Sequence, residues 1–131
     1  MKSTPRIGTV GETTFVVTPQ HCIEFATDGM PAVLSTPNLI GILERTARQA
    51  IAPFLDNGER SVGVELELKH YAPTPLGAQV TATARVIGVA GRFVDFQIEA
   101  RDHHELVLRG VHKRAVVHAA SFSRRVHGKA T

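Results

Sequence analysis

The stretch Ser61–Pro75, SVGVELELKHYAPTP, alternates strictly. Val62, Val64, Leu66 and Leu68 fall on one parity, and Glu65, Glu67, Lys69 and Tyr71 on the other. A period of two predicts a half-buried strand with one apolar face and one wet face. The next position on the apolar face is His70, a titratable ring just before a proline-rich turn. Straight alternation packs Val62 to Leu68 against whatever covers the sheet, and His70 emerges where that packing ends.

The covering element is legible upstream. Leu39, Ile40, Leu43, Ala47, Ala50, Ile51 and Phe54 recur at three and four, while Asn38, Gly41, Arg45 and Gln49 fall on the other side. That spacing predicts one long amphipathic helix. Thr36 reads as its N-cap and Pro37 as its first helical position. Pro53 and the turn DNGE (56–59) end it. Before the helix, GTVGETTFVVTP (8–19) reads as a strand, HCIEFA (21–26) as a short extended piece and TDGMPA (27–32) as a loop.

Downstream, AQVTATARVIGV (78–89), RFVDFQIEAR (92–101) and LVLRGVHKRAVVHA (106–119) read as further strands, with Gly110 a candidate bulge. Short connections predict an antiparallel meander of the four strands from Ser61 onward. One helix and an antiparallel sheet of four to six strands make an α+β fold, with the helix apolar enough to be wrapped by the sheet.

A chain of 131 residues with 43% hydrophobic and 21% charged residues predicts a single packed domain over 1–131. The net charge is only +3, and the tail SFSRRVHGKAT after Ala120 supplies all of it through Arg124, Arg125 and Lys129. From about residue 121 this tail reads as solvated and frayed rather than as a phosphate-binding arm. There is no dense basic stripe and aromatics are 5%, so no nucleic-acid partner is expected. No apolar run approaches membrane length, so no membrane partner is expected. A lone cysteine, Cys22, cannot close an intrachain disulfide, which points to a reducing, cytoplasmic setting. The histidines come with no cysteine pair and no HExxH spacing, so no metal site is expected.

Several side chains carry two readings. Thr36 is a helix cap, or a hydroxyl nucleophile if a base lies nearby. Glu44 sits at the edge of the apolar helix face. It is either an exposed partner of Arg48 one turn on, or a base or nucleophile beside apolar groups. His70 is a core-edge ring, or a group that relays protons. Gly63 marks close packing, or presents its amide to an oxyanion. Arg114 is a surface charge, or a phosphate-binding guanidinium.

Three stretches, STPNLIGILERTARQAIAPFLDNGE (35–59), SVGVELELKHYAPTPLG (61–77) and GVHKRAVVH (110–118), together resemble the fluoroacetyl-CoA thioesterase family, from Gly8 to Phe122. The resemblance implies the hotdog fold and hydrolysis of an acyl-CoA thioester, with no cofactor beyond the substrate's own CoA. It implies a homodimer whose active site lies at the subunit interface. It assigns Thr36, Glu44 and His70 as catalytic, and Gly63 and Arg114 as substrate-binding. Two phenylalanines that form the family's lid have Thr27 and Met30 as their nearest positions here, so the acyl group is left open. Thr36 and Glu44 are eight residues apart, which is ~12 Å along one helix. Either Thr36 lies on the entering loop and folds back, or a second subunit completes the site, or each touches a different part of the substrate. A non-catalytic acyl-CoA-binding module on the same fold is the alternative function.

Overall fold

The computed structural model of the protein describes residues 1–23 and 28–130. Strand β1 (Val10–Val16) leads, through a short 3-10 turn, to helix α1 (Thr36–Ile51). Strands β2 (Glu59–His70), β3 (Gln79–Ala90), β4 (Phe93–Arg101) and β5 (Leu106–His118) follow, and helix α2 (Ala119–Lys129) closes the chain. All five strands form one antiparallel sheet in the order β1-β3-β4-β5-β2.

The core is the contact between α1 and one face of this sheet. Leu39, Ile42, Leu43, Ala47 and Ile51 are buried on the helix. They meet Val80, Ala82, Ala84 and Val86 of β3 and Val94, Phe96, Ile98 and Ala100 of β4, every one of which is fully buried. Alternate positions along each strand face the helix, and the small alanines let it lie close.

The order departs from a four-strand meander. β3, β4 and β5 do form one, joined by the two residues Gly91 and Arg92 and by the turn Asp102–Glu105. In that turn Asp102 Oδ1 accepts from the amides of His104 (2.8 Å) and Glu105 (3.0 Å). β2 instead lies at the far edge, beside β5. The link 71–78 contains Pro73 and Pro75, which cannot donate to a tight hairpin. It is fastened to the segment entering α1: Leu34 N donates to Thr74 O at 2.8 Å and Leu76 N to Ala32 O at 3.1 Å.

Strand β2 also corrects the strict alternation. Its register with β5 runs Gly63↔Arg114 and then Glu65↔Lys113, so Val64 is an extra, bulged residue. A bulge of one residue reverses the parity that faces the core. Ser61 and Gly63 face α1 before it, and Leu66, Leu68 and His70 face the same way after it. Val62 therefore does not share a face with Leu68, and Val64 and Leu66 are 47% and 40% exposed. The helix lies mainly over β1, β3 and β4, leaving this edge strand partly uncovered. Gly110, read as a bulge, is paired regularly with both Leu68 and Ile98. Its lack of a side chain serves close approach, since a Cβ there would run into Glu67 O and Leu68.

The expected frayed tail is helix α2, from Ala119 to Lys129, with every residue exposed. No proline interrupts it, and Phe122 and Val126 stand one turn apart on one helix face.

Candidate active site

Helix α1 begins one residue earlier in function than the sequence suggests. Ser35 is the N-cap: its Oγ accepts from Asn38 N at 3.3 Å and from Asn38 Nδ2 at 2.7 Å. Thr36 is the first helical residue and Pro37 the second. The Thr36 hydroxyl is thereby released from capping. It lies 2.7 Å from His70 Nδ1. His70 closes β2, and the bulge at Val64 is what turns it toward the helix N-terminus.

Burial pushes the His70 pKa below its ordinary 6.5, and the Ala72 backbone opposes the shift. Taking a ring out of water disfavours its charged form. His70 Nε2 is buried and has no hydrogen-bond partner among the described residues. The pair lines a small cavity of about 260 Å³ with Ile23, Val33, Leu34 and Tyr71.

Glu44 stands two turns further along α1, in a second group. Its carboxylate faces Arg114 Nη1 at 3.7 Å. Among the described residues it has no ion pair with Arg48, so the exposed-partner reading does not hold. A methyl placed on Gly63 would sit 2.5 Å from Glu44 Oε2, so the β2 backbone passes directly against the carboxylate.

Arg114 is not on the surface: its side chain is 6% exposed. Nε donates to Ser61 Oγ (2.8 Å), Nη2 to Ser61 O (2.8 Å) and Nη1 to His112 Nε2 (3.1 Å). The guanidinium is largely buried beside Glu44. Gly41, Glu44, Arg45, Arg48 and Arg114 line a cavity of about 200 Å³ here.

Thr36 and Glu44 lie on one continuous helix, which removes the folded-back loop. Two half-sites result: a hydroxyl–imidazole pair at the helix N-terminus, and a carboxylate propped by a buried guanidinium beside Gly63. Sequence reading missed Ser35, Ser61 and His112. His112 was legible only as being two residues from Arg114 on one strand, hence on the same face. Of the two lid positions, Met30 is 49% exposed and Thr27 lies outside the described residues.

Gly63→Ala separates fold from site. Glu44 can swing its flexible end away from the new methyl, but the buried His112 Cε1 stands 3.2 Å from it, so a stability loss of about 1–2 kcal/mol is expected. Displacing the carboxylate is expected to lower turnover by ~10-fold or more, because a misplacement of about 1 Å is costly in a preorganised site. Thermal melting and kcat measured on the same sample check both halves.

A single helix wrapped by this sheet, with acid–base groups at the helix N-terminus and on the neighbouring strand, defines a hotdog-fold protein of the thioesterase class. The chain belongs to the fluoroacetyl-CoA-specific thioesterase family, whose profile matches residues 17–120. It is 34% identical to the fluoroacetyl-CoA thioesterase of Streptantibioticus cattleyicolor over 98% of this chain and 97% of that one. A structure of the fluoroacetyl-CoA thioesterase FlK superposes with a TM-score of 0.89 at 32% identity, over 97% of this chain and 98% of that one. A thioesterase-superfamily member from Thermus thermophilus gives 0.86 at 27% identity, over 98% and 97%.

Proposed function

We propose that this protein hydrolyses a short acyl-CoA thioester to the free acid and CoA. The observation that carries the reading is the 2.7 Å contact between the Thr36 hydroxyl and His70 Nδ1 at the start of α1. In the neutral ring with its proton on Nε2, the hydroxyl donates to Nδ1, and His70 is a base poised on a nucleophile. Thr36 Oγ1 attacks the carbonyl carbon as its proton passes to Nδ1. The carbon–sulfur bond breaks, and the CoA thiolate takes that proton. Water then attacks the acyl-threonine, with Glu44 accepting the water's proton; the carbon–oxygen bond to Thr36 breaks, and that proton is returned to Thr36 Oγ1. Direct attack by water activated at Glu44 gives the same products without the covalent intermediate.

The helix N-terminus favours the oxyanion through its partial positive charge and the Thr36 amide, since Pro37 has no N–H and Asn38 N is capped by Ser35, and the Gly63 amide offers a further donor. The reading calls on no cofactor. Arg114 acts by positioning Glu44. Arg45 and Arg48, exposed beside Glu44, suit the phosphates of CoA.

A homodimer completes the site in this reading. Each cavity alone is smaller than the ~300 Å³ at which ligand pockets begin. β2 is a twelve-residue edge strand with Val64 and Leu66 exposed, which is a template for pairing with a second copy. A second copy would bring its Glu44 half-site toward the first copy's Thr36–His70 pair. Among the described residues no helix is long and apolar enough to cross a membrane. The single cysteine suits the reducing cytoplasm.

Thiol release from acetyl, fluoroacetyl, medium-chain and aromatic CoA esters tests the function. Prompt release from a short ester is expected. Calorimetric binding of these esters without any thiol release would establish the non-catalytic binding module instead.

A further inference from the structure

His112 is 2% exposed, and no step above uses it. Both ring nitrogens are engaged. Nδ1 lies 2.9 Å from the Glu65 carbonyl oxygen, and Nε2 lies 3.1 Å from Nη1 of Arg114. A carbonyl only accepts and a guanidinium only donates. The ring is therefore the neutral Nδ1–H tautomer, donating to Glu65 and accepting from Arg114.

The two partners lie on either side of the β2 bulge. Glu65 is the first regularly paired residue after Val64, and Arg114 is paired opposite Gly63 just before it. Arg114 in turn holds the Ser61 backbone and faces Glu44. The imidazole also walls Gly63, with Cε1 3.2 Å from where a Cβ would stand there. Phe96 stacks on the ring at 6.2 Å between centroids and fixes its plane.

We propose that His112 is a positioning residue for the hydrolysis: it clamps the Val64 bulge to the Arg114–Glu44 pair and thereby sets both the Gly63 backbone and the Glu44 carboxylate. This rests on the function proposed above. A second proton on the ring would place an N–H against the Arg114 N–H and remove the clamp. Burial, reinforced by the Arg114 charge, holds the ring's pKa below the ordinary value and keeps it neutral, against the opposing Glu65 carbonyl and Glu44 carboxylate.

Nitrogen-detected NMR of the native protein at neutral pH tests the tautomer independently of turnover. A neutral Nδ1–H ring is expected. An Nε2–H or doubly protonated ring overturns the proposal, and the result stands whether or not a substrate is ever hydrolysed.

Three variants then test the positioning role. His112→Phe keeps the stacking on Phe96 and removes both hydrogen bonds. His112→Gln keeps an acceptor where Nε2 stands, and His112→Asn keeps a donor where Nδ1 stands. The Phe variant is expected to lose ~10- to 100-fold in kcat with KM changed far less, since misplaced catalytic groups cost turnover before binding. Gln or Asn is expected to recover part of kcat at an equal or lower melting temperature. Loss of kcat that only tracks melting temperature across all three, or native kcat in the Phe variant, overturns the proposal. If the Phe variant does not fold, the Gln and Asn pair decides it by the same comparison.

Discussion

His70→Ala is expected to lower kcat/KM by at least ~100-fold while the fold survives, because a positioned base supplies about 10²- to 10⁴-fold. The fold should persist because the ring sits at the end of β2, outside the core built by α1 on β3 and β4. The variant leaves the Thr36 hydroxyl without its 2.7 Å partner. The pH profile of the native protein carries a second signature. Since burial lowers the His70 pKa, its base form persists below the ordinary 6.5, and the acid limb of kcat/KM is expected under that value. Steady-state kinetics across pH, with circular dichroism of the variant, checks both. Near-native turnover in His70→Ala would remove the dyad from the mechanism.

Glu44→Gln is expected to cost ~100-fold or more in kcat, on the same basis of lost proton transfer. The substitution keeps the shape of the side chain beside Gly63 and removes only the charge that faces Arg114. A glutamine oxygen still accepts from the guanidinium, so the melting temperature should change little. Single-turnover measurements add a discriminating readout. If Thr36 forms an acyl-enzyme and Glu44 serves the water that hydrolyses it, the variant should still release one equivalent of thiol and then stall. If water attacks directly, the burst disappears with the turnover. Retention of full activity would overturn the role of Glu44 in either scheme.

How far the sequence carries can be argued residue by residue. The three-four spacing in α1 marked most of its buried face: Leu39, Leu43, Ala47 and Ile51 are buried as expected, while Ile42 and Thr46 are buried outside the expected stripe. Thr36 was misplaced by one position. Serine and threonine both cap helices, and only the Asn38 amide pointing at Ser35 Oγ decided which hydroxyl was used. Arg114 read as a surface charge in the bland case, because a sequence does not reveal that Ser61, His112 and Glu44 surround it. The tail read as frayed because its composition is polar, but an uninterrupted run of eleven residues without proline continues as α2.

By itself the sequence determined the α+β layer and the identity of the helix that the sheet wraps, both of which follow from local periodicity, while the candidate site residues came from the family resemblance. Tertiary structure alone decided that β2 lies beside β5 and that Val64 is extruded. The reason is physical: a bulge is a mismatch between two paired strands, and neither strand's own pattern contains it. That one extra residue brings Gly63 and His70, which stand on opposite parities in SVGVELELKHYAPTP, onto the same face.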